Sequence, residues 1–318
     1  MHERSIPERG MRVPAFLQKN ALFLFLIFLI IVFSIFSRDF FTFYNFINIL
    51  KRISVTGIIS LGTLFVIISG GIDVSVGALA ALSTIITAAF ANYNGSPVLL
   101  FLFVVFVALI FGFFQGITIT KGKVPPIITT LATMTIVRGA LMLYTKGFSI
   151  NNPPHTLLKA VGRGKIAGIP VLVVIMFCLY IISWLILKKT KFGRYVYAIG
   201  GGEHICRLTG IKVDLIKIWV YVYASLMSFL GGFVLNTRLS VGQPTAATGL
   251  ELECIAAVVL GGASLAGGEG TVQGTFLGVV ILGLLVNGLN LLNVVTYWQY
   301  ILQGIVILVS TLIYSKRI

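Results

Sequence analysis

Residues 97–120 contain no charged side chain, and nine other stretches of comparable apolar character are spaced along the chain. Roughly 20 apolar residues is the length a helix needs to cross about 30 Å of hydrocarbon. Only helices and closed barrels can satisfy their backbone polar groups there. The runs are residues 21–36, 53–69, 74–91, 97–120, 124–144, 169–187, 216–236, 250–266, 272–292 and 298–314. The expected fold is therefore an all-α polytopic membrane protein of about ten transmembrane helices, one domain over residues 1–318. Composition agrees, because 58% hydrophobic against 10% charged residues leaves too little polar surface to coat a soluble globule.

A net charge of +15 would suit a nucleic-acid partner if it were gathered on one face. Instead it is spread over many short connections, so no nucleic acid is expected and the charges report membrane orientation. With the amino terminus inside, fifteen of the 24 Lys and Arg lie in the cytosol. These are Arg4, Arg9, Arg12 and Lys19 of the tail 1–19, Lys121 and Lys123, seven within residues 188–217, and Lys316 and Arg317. Outside lie Arg38, Lys51, Arg52, Lys146, Lys159, Arg163, Lys165 and Arg238, while Arg138 falls within a span. Both termini are thus expected in the cytosol. The end of the first run, Phe36-Ser37-Arg38-Asp39, offers no signal-peptide cleavage site.

Residues 188–217 (KKTKFGRYVYAIGGGEHICRLTGIKVDLIK) form the longest cationic interruption. Each of its Lys and Arg would cost about 2.5–3.5 kcal/mol at the bilayer centre. Gly200, Gly201 and Gly202 give a flexible entry, and Glu203 suits the positive end of a short helix. Arg207 lies four residues on, where it can pair with Glu203. Gly210 is a natural stop, and Asp214 can cap the next membrane helix. The expectation is a short helix over residues 203–209 between two spans, which chemistry alone leaves open as a connector or a docking element.

The stretch E-H-I-C-R-L-T-G-I-K-V resembles the cytoplasmic E-A-A type loop of ABC importer permeases, where a short helix ending in glycine docks into a groove on the ATPase subunit. GGIDVSVGALAAL (70–82) and ELECIAAVVLGGASLAGGEGTVQGTFLG (251–278) resemble the ribose and monosaccharide branch of the branched-chain amino acid and sugar permeases, and the likeness runs over nearly the whole chain. The resemblance implies that Glu203, His204, Ile205, Cys206, Arg207, Leu208, Thr209 and Gly210 form the ATPase-coupling element, between the sixth and seventh spans. His204, Ile205 and Cys206 depart from the double-alanine pattern. It also implies a second permease subunit, two cytosolic ATPase domains that bind ATP and Mg, and an extracytoplasmic sugar-binding protein delivering solute to residues 146–168 and 237–249. The setting would be a bacterial or archaeal cell membrane.

The chain itself carries no G-x-x-x-x-G-K-[ST] phosphate loop, H-E-x-x-H or nucleophile elbow, so no catalytic residue, metal or cofactor of its own is expected. Cys178, Cys206 and Cys254 are far apart without C-x-x-C spacing. G-G-x5-G occurs twice, as Gly70, Gly71, Gly77 and as Gly267, Gly268, Gly274, the pattern of an internal repeat whose glycine turns join short spans. Both turns are expected on the cytosolic side. Asp73 reads either as the N-cap of the helix that follows, the reading its position favours, or as a proton or cation site.

Within the spans, Arg138 must face protein or water, where it donates either to a sugar or to backbone carbonyls. Asn287, Asn290 and Asn293 recur every three residues on one helix face. They suit either sugar hydroxyls along a translocation pathway or contacts between helices, and Gln115 carries the same ambiguity. The function expected is a permease subunit of an ATP-driven, binding-protein-dependent importer for a monosaccharide. The alternatives are a branched-chain amino acid permease and an ion-coupled secondary transporter.

Overall fold

The computed structural model describes residues 21–93, 96–152, 156–295, 297–299, 301–302, 304–305 and 308. The tail 1–19 and most of the expected span 298–314 lie outside them. The helices are α1 (Ala21–Phe36), α2 (Phe43–Ile68), α3 (Val76–Asn92), α4 (Pro97–Thr120), α5 (Pro126–Thr145), α6 (Thr156–Arg163), α7 (Val171–Lys189), α8 (Lys191–Leu208), α9 (Val213–Leu239), α10 (Leu250–Leu260) and α11 (Val272–Leu291).

Six of these, α2, α4, α5, α7, α9 and α11, are long and apolar enough to cross a membrane. The expectation of about ten transmembrane helices is therefore not met among the described residues, and the reason is length. The apolar run 250–266 is interrupted by Gly261 and Gly262, so α10 stops after 11 residues, about 16 Å of rise against a hydrocarbon core of about 30 Å. Helices α1 and α3, with 16 and 17 residues, also fall short of the roughly 20 required. Assigning both termini to the cytosol rested on the count of ten and falls with it.

Two boundaries also move. Thr42 caps α2 by accepting the Asn45 N–H at 3.2 Å, so the helix begins well before residue 53 and takes in Lys51 and Arg52, which were expected in an outer loop. Arg238 likewise sits in the last turn of α9.

The core is built around α2 and α9, which pack on each other. Helices α3 and α4 lie against α9, and α10 and α11 against α2. The second half of α2, residues 53–68, is buried throughout. Ser54 and Thr63 satisfy themselves locally, donating to the Leu50 and Ile59 carbonyls at 2.7 and 3.4 Å, while Thr56 reaches across to Glu253 of α10 at 3.3 Å. Elsewhere hydroxyls stitch one helix to another, as required where no water can serve. Ser83 of α3 donates to the Phe229 carbonyl of α9 at 2.6 Å, and Ser225 of α9 to the Ala108 carbonyl of α4 at 2.8 Å. Helix α4 turns Phe101, Phe106, Ile110, Phe114 and Ile117 outward, an apolar exterior that suits lipid rather than water.

At one end of the bundle the long connections 146–170 and 240–249 are tied together. Ile150–Asn151 pairs antiparallel with Val241–Gly242, and Asn152 exchanges amide hydrogen bonds with Asn236 at 2.6 and 3.2 Å.

Candidate functional site

Helix α8 is continuous up to Gly201 and breaks at Gly202. The break sets off a short segment, Glu203 to Leu208, that matches the helix expected between glycine hinges. Its end is a Schellman arrangement: Gly210 N–H donates to the Arg207 carbonyl at 3.2 Å and Ile211 N–H to the Cys206 carbonyl at 3.1 Å. That closure needs a left-handed residue, which Gly210 provides at φ +80°. The accompanying apolar contact is present too. Cys206 is buried in a small cluster with Ile199 and Val213, backed by Ile211 and Ile216.

Charge fixes the other side of the segment. Arg207 donates to Glu203 at 2.8 Å, the expected i, i+4 pair, and also to Asp214 of α9. Lys217 bridges to Glu203, and Lys121, at the end of α4, reaches Asp214 at 3.6 Å. Partial burial pushes the Glu203 carboxyl up, but hydrogen bonds and charge from Lys217 and Arg207 outweigh that and hold it below its ordinary value. Asp214 is not the cap expected of it. The N-cap of α9 is Lys212 without a side-chain bond, and Asp214 serves instead as the acceptor for Arg207.

With Cys206 turned inward and Glu203 engaged, the segment presents His204, Ile205, Leu208 and Thr209 to the outside. Ile205 and Leu208, three residues apart, are 65% and 74% exposed. They form a paired apolar knob among charged neighbours, the form a helix takes when it enters a partner's groove.

The hinge is anchored in a way the sequence did not announce. A Cβ on Gly200 would lie 1.8 Å from the Ile68 carbonyl oxygen and 2.4 Å from the Gly268 nitrogen, and one on Gly267 would meet the Cα of both Gly200 and Gly70 at 3.0 Å. Gly268 N–H donates to the Ile68 carbonyl at 2.8 Å, and the Tyr197 hydroxyl of α8 donates to the Gly270 carbonyl at 2.7 Å. The turns at Gly70-Gly71 and Gly267-Gly268 thus meet each other and the root of the Glu203–Leu208 segment. Periodicity could locate the two turns but not their contact.

Asp73 is fully buried, yet it is not the N-cap. Helix α3 starts at Val76 with Ser75 as N-cap, and Asp73 Oδ1 accepts the Ser75 N–H at 2.8 Å and its hydroxyl at 2.6 Å. Gln115 donates to the Ser75 hydroxyl at 2.6 Å and so holds this turn from α4. Arg138 donates to the carbonyls of Pro244 and Ala246 at 2.9 and 2.8 Å, the backbone alternative of the two read from the sequence. Asn287 donates to Asn45 of α2 at 2.8 Å, and Asn290 accepts from Gln299 at 2.7 Å. Asn293 adopts φ +56° just past the end of α11. Asn287 and Asn290 of the expected stripe thus make contacts between segments of the chain. The clefts are of another character: one of about 690 Å³ is lined by Leu26, Phe41, Phe46, Phe177, Phe276 and neighbours, almost wholly apolar.

Residues 45–311 match the family model described as branched-chain amino acid transport system / permease component. The chain is 44% identical to the ribose import permease protein RbsC of Bacillus subtilis (strain 168), over 85% of this chain and 84% of the relative. It is 43% identical to the ribose import permease protein of Haemophilus influenzae, over 83% of each. It is 35% identical to the L-arabinose transport system permease protein AraH of Escherichia coli (strain K12), over 82% of this chain and 79% of the relative. No solved structure matches.

Proposed function

The chain belongs to the family of branched-chain amino acid transport system permease components, and from that premise we propose that it moves a pentose, ribose first, across a bacterial or archaeal cell membrane on energy supplied by separate ATPase subunits. It is an integral membrane permease subunit of a sugar ABC importer. The ribose, arabinose and xylose named in its relatives make a pentose the preferred solute over leucine and its kin.

The observation that carries the coupling role is the Glu203–Leu208 segment: braced by Glu203, Arg207, Asp214 and Lys217, closed by Gly210, and offering Ile205 and Leu208 outward. A braced helix with an exposed apolar knob transmits force to whatever its root touches. Here the root touches both glycine turns, so motion of an ATPase groove would reach α2 and α3 on one side and α10 and α11 on the other. Two states of the ATPase pair that hold the knob differently would shift the balance between two packings of the spans. ATP and Mg belong to that partner.

A second permease subunit completes the route. A hydroxyl-rich solute needs polar partners, and the large cleft within one chain is apolar. An extracytoplasmic binding protein would dock on the connections stitched by the pairing of residues 150–151 with 241–242.

The test is reconstitution of the chain with its ATPase and binding protein in liposomes. ATP-dependent accumulation of labelled ribose or arabinose supports the reading. Accumulation of leucine in their place supports the branched-chain amino acid alternative, and uptake by the chain alone would refute an ATPase-driven permease.

A further inference from the structure

The buried turn at residues 70–75 leaves two acceptor oxygens, one on Asp73 and one on Gln115, without a hydrogen. Asp73 is 0% exposed, and no ion pair reaches it among the described residues. Its Oδ1 is doubly served by Ser75, while Oδ2 has no partner. Gln115 spends an Nε2 hydrogen on the Ser75 hydroxyl and leaves its own Oε1, also buried, without a donor. The remaining group beside the turn is the Tyr221 hydroxyl, which lies against Gly71 and is likewise unpartnered. A phenol can give one hydrogen and the Gln115 amide has a second, yet neither is bonded to Asp73 Oδ2 or Gln115 Oε1, and both oxygens are left without a hydrogen.

An ionised carboxylate here would also be a buried charge without a counter-charge, one of the costliest arrangements in a protein. We propose that Asp73 is a proton-binding site, carried in the neutral acid form with the hydrogen on Oδ2. That hydrogen closes a ring: Asp73 Oδ2–H toward Gln115 Oε1, Gln115 Nε2–H to Ser75 Oγ, and Ser75 Oγ–H to Asp73 Oδ1. The second and third links are already made at 2.6 Å each, and the first joins the two oxygens that lack a partner. Tyr221 is the titratable group that faces the turn from α9. Gln115 on α4 and Thr130 on α5 are the polar groups facing it from the other helices.

The position gives the proton a mechanical consequence. The turn is tied to α5, where Thr130 Oγ1 accepts the Val74 N–H at 3.3 Å and its one hydrogen is shared between the Ile127 and Ile72 carbonyls at 3.3 and 3.4 Å. It is tied to α4 through Gln115. At its other end, Gly70 rests on Gly200 and Gly267. The protonated acid is the clasp that joins the glycine hinge to these spans. Removing the proton would force the turn to open toward water and free the hinge.

This inference does not depend on which solute is carried, and its readouts require no transport. Infrared difference spectra of the full-length chain in nanodiscs, wild type against Asp73→Asn, should contain the carbonyl stretch of a protonated carboxylic acid at neutral pH. Asparagine reproduces the neutral acid, with an amide hydrogen in place of the Oδ2 hydrogen, so Asp73→Asn should match the wild-type thermal midpoint near the unfolded carboxyl's pKa of about 3.9 and stand at or above it at neutral pH, while Asp73→Ala lowers it. A proton bound by the folded chain and released on unfolding stabilises at low pH and is lost as pH rises. The wild-type midpoint should therefore fall relative to that of Asp73→Asn as pH rises from about 3.9, until the folded acid itself ionises. Absence of the carboxylic acid band overturns the proposal, as does an Asp73→Asn midpoint as low as that of Asp73→Ala. A wild-type midpoint raised by sodium or potassium chloride over choline chloride, with Asp73→Asn insensitive, would mean a cation site and would also overturn it.

Discussion

Replacing Gly200 with alanine should disable the hinge, while the same change one residue later should not. At Gly200 the new methyl would sit 1.8 Å from the Ile68 carbonyl oxygen and 2.4 Å from the Gly268 nitrogen, both backbone atoms, whereas at Gly201 nothing lies within 4 Å. Ordinary contact needs well over 3 Å, so α8 must back away from both turns by more than ~1 Å. That movement disrupts the packing around the buried Gly268 N–H to Ile68 carbonyl bond. Overpacking costs about 1–3 kcal/mol and an orphaned buried donor about 1–3 kcal/mol, together about 2–6 kcal/mol. Gly201→Ala gains a little helix propensity, at most about 1 kcal/mol. Thermal unfolding of the two variants in nanodiscs should place Gly200→Ala at least ~5 °C below wild type and Gly201→Ala level with it or above. Pull-down of the ATPase and uptake should fall in the same order. Equal midpoints for the two alanine variants would refute the idea that the glycine turns and the hinge bear on one another.

Ile205→Asp and Leu208→Asp should abolish ATPase association and uptake with an unchanged thermal midpoint, since both side chains are largely exposed; co-purification against circular dichroism separates the two effects. Arg138→Ala removes two charge-assisted bonds to Pro244 and Ala246, each worth about 1.5–3 kcal/mol. Hydrogen exchange should speed up across residues 243–249 while the Glu203–Leu208 segment stays protected. The Glu203 carboxyl is held below its ordinary value, so its bridges to Lys217 and Arg207 stabilise the docked segment above the unfolded carboxyl's pKa of about 4.3 and are lost as pH falls through the lower folded value. Exchange protection of residues 203–209 should thus be flat from neutral to mildly acid pH and drop in strong acid, and Glu203→Gln should reduce that dependence to the part carried by Asp214, which Arg207 also holds below its ordinary value. High salt should weaken the same protection, because the pairs are partly exposed.

The class of the molecule and the place of its Glu203–Leu208 segment were legible in the chain itself. Apolar runs of membrane-crossing length are a property of consecutive residues, and so are the Glu203–Arg207 spacing and the glycine that ends the segment at residue 210. What consecutive residues cannot express is how long a helix persists once glycines and neighbours compete for it: α10 ends at Leu260 although apolar residues continue, and α2 begins ten residues before its apolar run. The number of spans was therefore misjudged. Partners distant in sequence were equally hidden. Asp73, Ser75 and Gln115 form one polar cluster, Arg138 serves the carbonyls of a connection more than a hundred residues away, and Gly70, Gly200 and Gly267 share one point of contact. Hydrophobic periodicity is a one-dimensional signal set by the solvent, whereas these contacts exist only after α2 and α9 have packed and brought the two halves of the chain end to end.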